Sequence, residues 1–323
     1  WCNMKVVKGI SIYLGTIIVL IVVFLFGVIM ILEFGPSKTA RNLFVNSAME
    51  SSAGKFMATL FLSKDLINEI QNQNKVEKIT DITDANLINI DESSKNKEIE
   101  IINITGSTYK GLLAVVNDPA RVTVGVSGPF GSEHKGKTVK ELAEKYNAVL
   151  AINGGGFEDV NGMGNGGTPI GIVISEGKIV YGSENKTYEL IGFDNNNKLI
   201  IGSMTGKTAL EKGVRDALSF GPLLIVNGVP SKIKGSGSGL NPRTAIGQRK
   251  DGAILLLTID GRQANSLGAS FEDIINIMTK YGAVNAANLD GGSSTLMYYN
   301  GKYINNCASL YGPRKMPTGI IVK

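Results

Sequence analysis

The sequence predicts an α+β domain built on a largely antiparallel mixed sheet with a few packed helices, preceded by a single transmembrane helix. Three observations predict it. Beyond residue 98 the chain is filled with short apolar or alternating runs separated by X-Gly pairs, the pattern of strands joined as hairpins. Only two capped amphipathic stretches stand among those runs, so helices are few and the sheet is not doubly wound. From Gly9 to Leu32, twenty-four consecutive residues carry no charge. As a helix they would extend about 36 Å, enough to cross a hydrocarbon core of ~30 Å.

Residues 1–8 form a short head, expected to be cytoplasmic, in which Met4 is a candidate initiator. Residues 9–32 form the anchor. A cleaved signal peptide would have a shorter apolar core and a small-residue cleavage site, and Pro36-Ser37-Lys38-Thr39-Ala40 is a poor match to one. The lysines and arginines flanking the segment are balanced, so orientation rests on the short head and the large following domain. These favour a single-pass cell-membrane protein with its globular part outside the cytoplasm.

Residues 33–97 divide in two. From 39 to 70 the spacing of Leu43, Phe44, Ala48 and Met49, then Phe56, Met57, Leu60 and Phe61, is helical, with Thr39 as a cap. Residues 71–97 are rich in Asn, Lys, Asp and Glu with scattered isoleucines, which reads as a linker or stalk. The globular domain spans 98–323. Its hairpin signals include Glu176-Gly177, Asn227-Gly228, Asp251-Gly252 and Asn300-Gly301, each flanked by apolar runs. Its two helices are Thr138–Tyr146 and Ser270–Tyr281; the second opens on Ser270 with Asp273 three residues on and carries Ile274, Ile277 and Met278 on one face.

Composition excludes several classes. The 33 basic and 28 acidic residues are interspersed, so no basic stripe points to nucleic acid. Cys2 and Cys307 fall on opposite sides of the expected membrane and cannot bridge within one chain. His134, the only histidine, sits in a polar loop-like stretch, which argues against a Ser-His-Asp mechanism and against zinc. The run from Asp159 resembles a calcium loop, but Met163 and Ile170 stand where ligands are needed. No cofactor is expected, and a looser calcium site is the one metal reading left open. Oligomeric state is not legible.

Four polar clusters, each at the end of an apolar run, mark the candidate site. Asn288-Leu-Asp-Gly-Gly-Ser-Ser294 follows a strand-like approach, with Asn288 and Asp290 on one side by the period of two. Asn153-Gly-Gly-Gly-Phe157 repeats the layout, and Pro242-Arg243-Thr244 and Asp260-Gly261-Arg262 bracket another pair of strands. Glycines at these positions let the backbone turn tightly and a ligand approach closely.

With Thr168-Pro-Ile-Gly171, Phe220-Gly-Pro-Leu-Leu224 and Arg243-Thr-Ala-Ile-Gly247, these clusters resemble the phosphodiester glycosidases, from about Gly111 to the C-terminus and in the family's order. Many bacterial members are associated with exopolysaccharide. This chain has Gly156 where an aromatic is common, and Ser293 where a third glycine is usual after Asp290. The resemblance implies a membrane-anchored hydrolase cleaving the glycosidic bond of sugar 1-phosphodiesters in envelope or exopolysaccharide glycans.

Such a reaction has to hold a phosphate, stabilise a positive sugar and position water. Arginine meets two phosphate oxygens at once, and a carboxylate suits the other two tasks. The resemblance therefore implies Asp290 as the catalytic carboxylate with Asp260 as its partner, and Arg243, then Arg262, on phosphate. Asn153, Asn288 and Ser294 would hydrogen-bond substrate, Phe157 would offer a face to a sugar ring, and Glu158 is a reserve acid. Competing structural readings are that either arginine pairs with Asp260, that Asp260 only shapes an Asp-Gly turn, and that Phe157 is core. Two other functions fit the same residues: a phosphoglycan-binding module without catalysis, and a glycosyl-phosphate transferase.

Overall fold

The computed structural model describes residues 2–52, 54–95, 97–159, 162–309 and 311–323. Seven helices are described: α1 (Cys2–Phe34), α2 (Lys38–Met49), α3 (Lys55–Thr59), α4 (Lys64–Gln73), α5 (Val139–Tyr146), α6 (Gly206–Glu211) and α7 (Phe271–Lys280). α5 and α7 are the two helices the sequence announces. Thr138 and Ser270 cap them, each in a reciprocal capping box, with Glu141 and Asp273. α6 carries no such signal and was not anticipated.

The α+β architecture expected from the sequence is present, and every described strand pairing is antiparallel. The strands form three sheets rather than one. The central sheet has seven strands in the order Glu100–Thr105, Lys110–Val116, Ile254–Ile259, Arg243–Arg249, Ala283–Leu289, Leu223–Val226 and Val229–Pro230. A five-stranded sheet contains Leu150–Asn153 between Met297–Tyr299 and Thr318–Val322. A second five-stranded sheet contains Val173–Ser175, Val214–Ser219 and Thr187–Asp194.

The period of two sorts the central sheet's side chains. Ile246, Leu256, Ala287 and Leu289 face the two smaller sheets, while Ala245, Leu257 and Ala286 face α7. Both faces are buried, which is why these strands read as near-continuous apolar runs. Three of the four X-Gly turns take the expected geometry, Glu176-Gly177, Asn227-Gly228 and Asn300-Gly301 having two consecutive positive φ angles, whereas in Asp251-Gly252 only the glycine does.

The N-terminal residues build a separate layer. α1 contains Val7–Phe34, long and apolar enough to cross a membrane. α2, α3 and α4 form a small lobe with its own core of Val45, Ala48, Ala58, Leu62, Ile67 and Ile70. Of residues 71–97, expected as a linker or stalk, the first three complete α4 and residues 74–95 lie as a band along the domain instead. Ile88 is fully buried, Ile79 and Ile82 pack on core clusters, and Thr83 and Asn89 hydrogen-bond to Ile201 and Lys250. Scattered isoleucines in a polar segment are the trace of that docking.

Candidate functional site

The four polar clusters meet at one edge of the central sheet. Arg243 pairs with Ile259 and Thr244 with Leu289, so the start of one strand and the ends of its two neighbours lie side by side. Asn153, at the end of its own strand in the adjoining sheet, ties them together. Its Nδ2 donates to the Asp290 carbonyl, and its Oδ1 accepts from Thr244 Oγ1 at 2.9 Å and from the Leu296 amide at 3.2 Å. The Asp290 amide returns a bond to the Gly154 carbonyl at 2.9 Å. Gly154 is obligatory here: a Cβ would stand 2.7 Å from Thr318 Oγ1. Asn153 is fully buried, so its polar groups hold the scaffold.

The turn after Asp290 is drawn against the arginine strand. Gly292 has φ +60°, donates to the Pro242 carbonyl at 2.9 Å and lies under the Arg262 guanidinium. The Ser294 side chain and the Gly291 amide lie near the Asp290 carboxylate and favour its ionised form. Desolvation nonetheless dominates and pushes the pKa up from 3.8 to about 6. The residue as a whole is half-buried, and its carboxylate is the desolvated part.

Arg243 is 6% exposed and stacks over the Phe271 ring at 4.0 Å. Its Nε donates to the Ala269 carbonyl, and its Nη2 to Ser238 Oγ and the Gly239 carbonyl. The same Nη2 meets the Glu50 carboxylate at 2.6 Å. Glu50 comes from the end of α2 and also accepts from Asn241 Nδ2 at 2.9 Å. Arg262, itself at φ +59°, donates to Asn241 Oδ1 at 3.0 Å. Although Arg262 retains exposed surface, its guanidinium pKa is lowered by desolvation and by Arg243, while Glu50 opposes that. Two arginines, an amide and a carboxylate thus form one cluster beside the Asp290 turn.

The remaining sequence candidates are placed as follows. Among the described ion pairs neither arginine meets Asp260. The Asp260 carboxylate accepts from Asn305 Nδ2, the Asn306 amide and Asn306 Nδ2, at 3.0 to 3.1 Å, and so holds the 305–306 loop. Asn288 is buried; its Nδ2 donates to the Gly221 carbonyl, while its Oδ1 has no partner among the described residues. Phe157 is 5% exposed and packs in the core around α5. Its ring is covered by the Arg314 guanidinium at 5.0 Å. Glu158 is exposed. His134 lies partly exposed beside Glu133, as its polar setting suggests.

Sequence reasoning missed three contributors. Arg314 makes a two-pronged pair with Asp159, at 2.8 and 3.2 Å, close enough to Asp290 to act on its carboxylate electrostatically. Asp159 also accepts from the Gly164 amide and from Ser52 Oγ. That commits both of its oxygens to protein partners. The calcium-like run continues through Val160 and Asn161, which lie outside the described residues. Asn241 precedes Pro242 in an already recognised cluster and was legible in principle. Glu50 and Arg314 carry no local signal.

Comparison with known proteins decides the lineage. The family model for phosphodiester glycosidase matches residues 146–323. The chain belongs to the phosphodiester glycosidase family. It is 31% identical over 195 residues to the SPbeta prophage-derived protein YomE of Bacillus subtilis, covering 56% of this chain and 28% of that one. It is 26% identical over 218 residues to the N-acetylglucosamine-1-phosphodiester alpha-N-acetylglucosaminidase of Mus musculus, covering 61% and 41%. Against the Homo sapiens protein of that name it is 29% identical over 193 residues, covering 54% and 36%. The chain thus spans less than half the length of these curated relatives. The solved catalytic domain of the zebrafish N-acetylglucosamine-1-phosphodiester alpha-N-acetylglucosaminidase, auto-inhibited by its pro-peptide, shares the fold. That match has a TM-score of 0.60 at 24% identity and covers 76% of this chain and 88% of the zebrafish domain. This phosphodiester glycosidase domain is therefore hydrolase-like, with an apolar N-terminal helix in front of it.

Proposed function

We propose that the chain hydrolyses the glycosidic bond of a sugar 1-phosphodiester, with Asp290 as the carboxylate that faces the anomeric carbon. One observation carries the reading. The desolvated Asp290 carboxylate stands on a turn that touches Arg262 and Pro242, while the adjoining Arg243 already holds a carboxylate, that of Glu50. A substrate phosphate would take the place of the Glu50 carboxylate between Arg243, Arg262 and Asn241. Ser294 would orient Asp290, and the buried Asn288 would support the neighbouring turn through the Gly221 carbonyl. Asn153 and Asp260 support the site from behind by fixing its turns, and Arg314 lies close enough to act on the Asp290 carboxylate. In the reaction the anomeric C–O bond breaks, water supplies hydroxyl to the sugar, and the phosphate monoester departs with the bonding pair and a proton. Such a leaving group is a weak base, so electrostatic support matters more than protonating it.

The names of the mammalian relatives make N-acetylglucosamine 1-phosphodiesters the first substrates to assay. On this reading Val7–Phe34 is an uncleaved membrane anchor, the domain lies outside the cytoplasm, and the natural substrate is an envelope or exopolysaccharide glycan. The Glu50 contact further suggests a self-occupied resting state, comparable to the auto-inhibition named for the zebrafish domain, from which residues 47–52 must withdraw.

The test is release of reducing sugar from a panel of sugar 1-phosphodiesters and neutral glycosides by the detergent-solubilised full chain. Cleavage confined to the phosphodiesters is expected. Tight binding without cleavage across the panel would establish a phosphoglycan-binding module, and sugar appearing on an added alcohol in preference to water would establish a transferase.

A further inference from the structure

The lobe that carries Glu50 also carries an apolar corner beside α1. Phe61 packs edge-on against Phe26 of α1, with ring centroids 5.7 Å apart and planes at 77°. A crossing of the hydrocarbon core takes about 20 helical residues. Any window of that length within Val7–Phe34 includes Phe26. If the segment spans a bilayer, Phe61 therefore sits at or within the lipid boundary, and its neighbours must meet lipid too. Those neighbours suit that position. Phe56 and Leu60 are 63% and 67% exposed, large apolar side chains on a lobe whose other large apolar residues are buried or partly buried. Exposed Lys55 and Lys64 flank them, with Lys38 at the start of α2. Apolar side chains bordered by lysines are the composition of an interfacial segment, in which the rings enter the headgroup layer and the ammonium groups meet lipid phosphates.

We infer that the α3–α4 corner, through Phe56, Leu60 and Phe61, is a lipid-contacting surface seated in the interface of an anionic bilayer. This rests on the reading of Val7–Phe34 as a membrane span. Its continuity with α1 is what singles out lipid as the occupant: a protein partner there would have to share the surface with the acyl chains around Phe26. The arrangement also joins membrane and site. Glu50 is five residues before Lys55, so one small lobe touches both lipid and Arg243. A cavity of about 390 Å³ between lobe and domain is lined in part by Glu50, Pro222 and Phe271.

The experiment uses the full chain in mixed phosphatidylcholine–phosphatidylglycerol vesicles, with Trp1→Phe as background and Leu60→Trp or Phe56→Trp as reporters. Both positions are exposed, so a larger ring needs no repacking. A third reporter, Ile18→Trp, reads the span itself. Lipids brominated near the headgroup should lower emission from positions 56 and 60 about twofold, with little effect of aqueous iodide. Deeply brominated lipids should quench position 18. Iodide quenching at 56 and 60 with bromine quenching at 18 would overturn the inference while the span stands. Absence of bromine quenching at all three positions would overturn both. Neither result bears on the glycosidase chemistry, which is read separately on a soluble substrate.

Discussion

The domain and the lobe are built on different scales, and the contrast locates what is rigid and what can move. The domain closes four apolar clusters around three sheets, and its site is knotted by Asn153, Gly154 and Thr244, all buried. The lobe has one core of six buried apolar residues, and its contacts around the site are polar. Ser47 Oγ accepts from the Leu240 amide, Glu50 meets Arg243 and Asn241, and Ser52 reaches Asp159. On the lobe side these contacts come from partly exposed groups, which solvent screens and a ligand or water can replace. The domain therefore supplies the geometry of the site, and the lobe supplies its occupant.

The largest effect separates the two at once. Asp290→Asn keeps the size of the side chain and removes the charge, so turnover should fall by about 10²–10⁴-fold while substrate still binds. Unchanged turnover would remove Asp290 from the chemistry and bring Asp260 and Glu158 forward. Arg243→Ala should weaken substrate binding by about 2–5 kcal/mol, and Arg243→Lys should recover only part of it, because a point charge does not reproduce the planar fork. A melting curve must accompany both, since Arg243 also holds Ser238 and the Gly239 and Ala269 carbonyls.

A stability prediction tests where the boundary between the two regions falls. A chain beginning at Lys75 loses the lobe but keeps the docked band, and should melt cooperatively near the full-length value. A chain beginning at Glu98 also loses Ile79, Ile82 and Ile88. The fully buried Ile88 alone is worth about 1.5–3 kcal/mol, so this shorter chain should be measurably weaker in urea. Equal stability of the two would return residues 71–97 to the role of a stalk.

Much of the site was legible in the sequence because each polar residue ends an apolar run. Asn153, Asp290, Arg243 and Asp260 sit at strand ends for that reason, and hairpin connections follow from local X-Gly pairs. The three-sheet arrangement was not legible: it depends on which strands pair at long range, as when Ala283–Leu289 enters between Arg243–Arg249 and Leu223–Val226. Roles were harder to read than positions. Asn153 and Asp260 look like ligands from their types, but both commit their polar atoms to neighbouring loops. Glu50 and Arg314 act through tertiary contacts with residues far away in sequence, and no periodicity records such a meeting.

The domain's electrostatics give a pH test. Burial raises the Asp290 pKa to about 6, above its value in an unfolded chain, so the folded state favours the protonated acid. Asp290 should therefore contribute a fall in stability as pH rises from about 4 to about 6, and Asp290→Asn should remove that contribution. Activity should run the opposite way, because the ionised carboxylate is the working form: kcat/KM should rise about tenfold per unit below pH ~6 and then level. A limb near 4 would mean that the carboxylate is wetter than its geometry indicates.

The smallest effect bears most directly on the lobe. Glu50→Gln keeps the shape of the side chain and its bond to Asn241 while removing the charge that competes for Arg243. The Glu50 side chain is 29% exposed, so solvent screens the pair and its loss should cost stability no more than about 1 kcal/mol. If Glu50 stands in for the substrate phosphate, weakening it should lower KM by roughly fivefold, the equivalent of about 1 kcal/mol, with kcat unchanged. Ser52→Ala touches the same lobe but leaves Arg243 alone, so it should shift KM less. A fall in kcat for Glu50→Gln would have the opposite meaning: the lobe would then belong to the working site, and separating geometry from occupant along the boundary between domain and lobe would fail.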